Sequence, residues 1–238
     1  MSRMPSIFRL FAWLALSTMI RGDDWPHFLG PSMDTTWREE GVRTRFPEAG
    51  MPLDWEHPLG GGYSGPSVVG GKVFVMDRLA KPYEPGKVQG NPNFIRAEIP
   101  GQERVMAFDV TTGDLLWEHR YEAPYTTVYL YAIGPRCTPT VSAEQVYALG
   151  AEGHLHCLEV STGEVLWARH LPADYGVAVP EWGYAAHPLV VGDQVICMVG
   201  GDGSTVVSLD RHTGEERWRS LSSDKPGYCP PSQVTLGG

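Results

Sequence analysis

The sequence predicts an all-β fold, a β-propeller of four-stranded antiparallel blades, on three observations. A frame recurs as "AFDVTTGDLLW" (107 to 117), "CLEVSTGEVLW" (157 to 167) and "SLDRHTGEERW" (208 to 218), so its Thr-Gly pairs stand 50 and 51 residues apart. A Pro- and Val-rich element precedes each copy: "GPSVVGGKVFVM" (65 to 76), "TPTVSAEQVYAL" (138 to 149) and "HPLVVGDQVICM" (187 to 198). The 238 residues include 28 Gly and 20 Pro with 42% hydrophobic content, which suits a turn-rich β protein with a sizeable core. A period near 50 residues with four short strands per unit is the arithmetic of a propeller blade, which must stack on neighbours to cover its faces.

In chain order, "MSRMPSIFRLFAWLALSTMI" carries Arg3 and Arg9 and an apolar stretch over 10 to 20. That stretch is too short to span a bilayer and fits the core of a signal peptide over 1–22, which predicts export to a periplasmic or extracellular location and no stable membrane span. No cysteine follows it, which disfavours a lipid-anchored form. Residues 23–50 read as an irregular segment. A partial propeller is expected over 51–238, with an orphan outer strand at 53–57, whose "LDWEH" resembles "LLWEHRY" of 115 to 121. Blades are expected at about 63–121, 136–171 and 184–221, and the start of a further blade at 228–238. In the second unit the strands fall at about 139–142, 145–149, 154–160 and 165–170. The inner loop of the first blade swells over 78–104, whereas that of the second is only 151–153. Three full blades plus partial strands fall short of the usual ring of four to eight, so the unpaired edges predict self-association.

Glycine in the Thr-Gly turn can take positive φ without a Cβ penalty, which permits a tight hairpin, and the tryptophan four residues on falls on the outermost strand, where it can pack between blades. The frame Ala-x-Asp-x-x-Thr-Gly-x-x-x-Trp is complete at Ala107, Asp109, Thr112, Gly113 and Trp117. It resembles the tryptophan-docking motif of the pyrroloquinoline-quinone (PQQ) repeat, quinoprotein-like β-propellers. Its other docking residues are Gly163, Trp167, Gly214 and Trp218; the second copy departs with Cys157 and Glu159 and the third with Ser208. The resemblance implies a scaffold that hosts many activities. It also implies, as an alternative, a PQQ-dependent alcohol dehydrogenase with a calcium-bound quinone. No adjacent cysteine pair occurs, and no calcium ligand or catalytic aspartate maps onto the chain, so no catalytic, cofactor or metal residue is assigned.

Net charge of −9 and a pI near 5.3 argue against nucleic acid, since no basic stripe is present. The long inner and inter-blade loops emerge on one end, the expected functional face. Tyr63, Arg136, Tyr184 and Tyr228 recur three or four residues before each blade's first proline, with Trp182 nearby, and these five are expected to ring the mouth of the channel and take a protein or small ligand. His154 and His156 share a strand face, a possible metal pair without a third ligand, and read as a solvated outer face. Cys137, Cys157, Cys197 and Cys229 read as free, buried thiols. The sequence therefore favours a secreted, non-enzymatic binding scaffold, with the quinoprotein dehydrogenase and an extracytoplasmic sensor or assembly-factor propeller as alternatives. With residues 1–22 removed, the chain is expected to associate with rising concentration in sedimentation velocity; a monodisperse, cooperatively unfolding monomer would show the strand count to be misread.

Overall fold

The computed structural model describes residues 22–82, 98–126 and 133–234. The predicted signal peptide and the centre of the first inner loop lie outside the described residues, apart from Gly22. Twelve strands form three four-stranded antiparallel sheets, each ordered as in the sequence, among the described residues. Sheet one holds β1 (Ser67–Val69), β2 (Lys72–Ala80), β3 (Gly101–Asp109) and β4 (Leu115–Glu122). Sheet two holds β5 (Thr140–Ser142), β6 (Gln145–Leu149), β7 (His154–Glu159) and β8 (Val165–His170), close to the sequence expectation. Sheet three holds β9 (Leu189–Val191), β10 (Gln194–Met198), β11 (Val206–Asp210) and β12 (Glu216–Ser220). Among the described residues no helix is long and apolar enough to cross a membrane.

The innermost strands β1, β5 and β9 lie side by side and are joined by one repeated bond. The Ser67 hydroxyl donates to the Pro139 carbonyl, and one repeat later the Thr140 hydroxyl donates to the Pro188 carbonyl at 2.8 Å. Between sheets one and two, Phe74, Met76, Val105 and Trp117 pack on Val146, Ala148 and Leu158. Between sheets two and three, Tyr147, Leu155, Cys157 and Trp167 pack on Val195, Cys197, Val207 and Leu209.

The repeated turn explains the repeated letters. Gly113, Gly163 and Gly214 sit at φ of 73°, 72° and 72°, and their N–H groups donate to the carbonyls of Asp109, Glu159 and Asp210 at 2.9 Å each. The threonine hydroxyl before each glycine accepts the N–H of the residue after it, Asp114, Glu164 or Glu215. Where the frame has aspartate, its carboxylate accepts two further turn N–H groups, from Thr111 and Thr112 or from His212 and Thr213. A register shift then falls at the same place in all three sheets, and a small residue faces each indole across the ladder: Ala107 against Trp117, Cys157 against Trp167, Ser208 against Trp218.

Each indole crosses to the next sheet. Trp117 Nε1 donates to the Val160 carbonyl at 2.9 Å, and a Cβ on Gly163 would stand 2.5 Å from its ring. Trp167 repeats this on the Arg211 carbonyl and Gly214, at 2.9 Å and 2.7 Å. Trp55 does the same to sheet one, donating to the Val110 carbonyl at 3.0 Å with its ring over Gly113. Residues 53–57, expected as a strand, make no ladder; only the tryptophan of that segment keeps the repeat's contact. Trp218 departs from its expected docking role. It is 41% exposed and donates to Gln194 Oε1 within its own sheet.

Two further expectations, on the first inner loop and on Cys229, are corrected. The first inner loop is shorter than 78–104, since β2 continues to Ala80 and β3 begins at Gly101, with Arg78 opposite Glu103. Charged residues there broke the apolar pattern but are satisfied as strand residues: Arg104 bridges Asp77 and Glu118. The connection after β8 opens with a short helix, α1 (Leu171–Tyr175), with proline in its first turn. Cys137, Cys157 and Cys197 are buried, but Cys229 is exposed. The segment over 23–50 is irregular yet anchored. Trp25 exchanges backbone hydrogen bonds with Val68, the Pro26 carbonyl accepts from Val141, and Phe28 stacks on His187 at 4.3 Å, so this stretch crosses the inner strands.

Trp117→Ala and Trp167→Ala, each indole being 8% exposed, are expected to cost about 3–5 kcal/mol, and Trp218→Ala about 1 kcal/mol or less. Denaturant midpoints check the ranking.

Candidate functional site

Four of the five rim residues expected from the sequence form one string. The Tyr63 N–H donates to the Pro135 carbonyl at 2.8 Å, which holds the tyrosine beside the next blade's entry. The Arg136 guanidinium lies 5.0 Å from the Tyr63 ring centroid, and its Nε donates to the Trp182 carbonyl at 2.7 Å. The Trp182 N–H donates to the Tyr228 hydroxyl at 3.2 Å. Tyr63 and Tyr228 at the ends are 58% and 41% exposed, so the string presents aromatic faces to solvent. Beside it a cavity of about 460 Å³ is lined by Pro180, Glu181 and Trp182 on one side and Asp224, Lys225 and Tyr228 on the other.

Tyr184 does not join the rim. It is 2% exposed, its hydroxyl donates to the Val199 carbonyl at 3.2 Å, and its N–H donates to the Ala151 carbonyl at 2.8 Å. The repeat places a tyrosine there, but the burial of its ring in the second core makes it a packing residue.

Sequence reasoning missed a buried polar group beneath this end. Glu103, fully buried, accepts the hydroxyls of Tyr121 and Tyr125 and the Ala151 N–H. Burial pushes its carboxyl above the ordinary range, and these three donors act against that rise. Arg78, 1% exposed, lies 3.9 Å over the Tyr125 ring and donates to the carbonyls of Ile99 and Ala123. The group ties the base of the first inner loop to the tight turn of sheet two. Its members are scattered from Arg78 to Ala151 over a strand-rich stretch and carry no spacing signal.

His154 and His156 are not on a solvated outer face. They lie in the seam between sheets one and two, packed against His119, Tyr121 and His170. Among the described residues no three His, Cys, Asp or Glu side chains are placed to hold a metal ion.

Repeating four-stranded sheets joined by tryptophans and Thr-Gly turns define a PQQ-repeat, quinoprotein-like propeller. The family model described as outer membrane protein assembly factor BamB matches residues 50–234, and the chain belongs to that family. The outer membrane protein assembly factor BamB of Kangiella koreensis is 31% identical over 116 residues, 48% of this chain and 26% of that protein. The one of Nitrosomonas eutropha is 30% identical over 84 residues, 35% of this chain and 20% of that protein. The chain thus spans about a quarter or less of the curated relatives it matches. Among solved structures, the quinohemoprotein alcohol dehydrogenase of Comamonas testosteroni superposes with a TM-score of 0.54 at 18% identity, over 82% of this chain and 27% of that one. That likeness supports the fold alone.

Glu103→Leu leaves two tyrosine hydroxyls and an N–H unpaired and is expected to cost about 2–4 kcal/mol, against about 1 kcal/mol or less for Arg136→Ala on the half-exposed rim. Equilibrium unfolding in urea compares the two.

Proposed function

We propose that the chain is an exported, non-enzymatic propeller that serves outer-membrane protein assembly by holding a protein partner at its loop-bearing end. The observation that carries this reading is the family match over residues 50–234, together with relatives named as assembly factors. It favours an assembly factor over both a general binding scaffold and a dehydrogenase. Such a factor works where outer-membrane proteins are assembled, which agrees with the export expected from the N-terminus.

The rim supports the same reading by its chemistry. Rigid aromatics give contact area at low entropic cost, and an arginine already held by Tyr63 and Trp182 loses little freedom on binding. The partner surface is therefore Tyr63, Arg136, Trp182 and Tyr228, with no cofactor and no metal in the role.

Disrupting the gene is expected to lower the amount of folded outer-membrane β-barrel protein in the source organism. Complementation with the wild-type gene should restore it, and with Arg136→Ala/Trp182→Ala should not, although that variant accumulates and melts as wild type does. Unchanged outer-membrane protein after disruption would sink the assembly reading. Saturable uptake of PQQ with calcium, followed by alcohol-dependent dye reduction, would replace it with the dehydrogenase.

A further inference from the structure

Four histidines and a tyrosine form a continuous stack across the seam between sheets one and two. His119 meets His156 with ring centroids 4.9 Å apart, and His156 meets Tyr121 at 4.3 Å. Tyr121 meets His154 at 5.5 Å, and His154 stacks on His170 at 4.3 Å. His119 and Tyr121 come from β4, His154 and His156 from β7, and His170 from β8. Behind Tyr121, from β3, stands the Glu103 carboxyl, whose bonds go to Tyr121, Tyr125 and Ala151 rather than to an imidazole. His119 Nε2, His154 Nδ1 and His156 Nδ1 are buried with no hydrogen-bond partner, and among the described residues none of the four rings is in an ion pair.

We propose that this stack is an acid-sensitive latch: neutral imidazoles close the seam between sheets one and two, and their protonation opens it. A proton on any of the buried rings places a cation against other imidazoles with no carboxylate to receive it. Two such cations repel across the seam. Hydration relieves that charge, and for His156, 8% exposed, it requires the sheets to part.

Desolvation lowers His156 to about 3 and His154 to about 4, and lowers His119 as well. A histidine whose folded pKa lies below its unfolded value, about 6.5, stabilises the fold above that value. The stability is lost as pH falls from there toward the folded pKa, so the seam weakens from about pH 6.5 down to about 3. His187, lowered to about 4 beside Phe28, titrates in the same window but lies at the inner strands, so only a measurement resolved along the chain isolates the latch.

Hydrogen exchange read by mass spectrometry from pH 7.5 to 4.5, corrected for intrinsic rates, provides it. Peptides over β4 and β7–β8 are expected to lose protection at least about tenfold more than those over β10–β11, one pKa unit being a factor of ten. His154→Gln/His156→Gln should abolish that difference. Equal loss in all three sheets, no loss, or an undiminished difference in the variant would overturn the latch. Should the variant not fold, the Cε1–H titrations of His154 and His156 in the wild-type protein decide it: midpoints below about pH 5 that coincide with seam opening support the latch, and midpoints near 6.5, or titration with the seam still closed, refute it.

Discussion

The structure depends on an indole from one sheet lying on a glycine of the next while its Nε1–H bonds a carbonyl of the same turn. The contact is possible only because that glycine has no side chain: a Cβ would stand within 2.5–2.7 Å of the ring at all three turns. The glycine is needed twice, since its φ near 72° is also what lets the hairpin close. One residue type therefore couples the local geometry of a turn to the stacking of whole sheets. For Trp117 and Trp167 the small residue opposite, Ala107 or Cys157, completes the fit from within the same sheet.

With the outer ends joined in this way, the inner ends are joined by hydroxyl-to-proline bonds and crossed by the segment around Trp25 to Phe28. Between these two lines of contact the seams differ in character. The seam of sheets two and three is largely apolar. That of sheets one and two grades from an apolar inner part to histidines, tyrosines and the buried Glu103 near the loop-bearing end. Polar groups at such a place are costly unless paired, and here Glu103 is paired while three imidazole nitrogens are not. The same end that carries the exposed aromatic rim therefore rests on the more pH-dependent of the two seams.

The rim itself is assembled from four separate connections, with Tyr63, Arg136, Trp182 and Tyr228 each contributing one position of a single string. A repeat architecture makes this economical, because successive units bring equivalent positions to one end of the stack. Family membership gives that surface its proposed partner class. The fold alone could not, since a dehydrogenase with 18% identity shares the architecture.

The sequence by itself determined the period, the four-strand unit, the turn chemistry and the residues that carry Trp117 and Trp167 between sheets, because each is a local requirement written at fixed spacing. It also put Tyr63, Arg136 and Tyr228 at one end from the repeat, with Trp182 beside them. Only the tertiary structure decided that Tyr184 is core and that Trp218 is exposed, since both depend on what stands opposite in another sheet. The same holds for Trp55, which keeps the docking contact without a strand, and for the charged ends of β2 and β3, whose ion pairs override a polar pattern. His154 and His156 mark the limit most clearly: their alternation in "HLH" fixes that they share a face, but whether that face meets water or a neighbouring sheet is set by the stacking, because the chain's local geometry is the same in both.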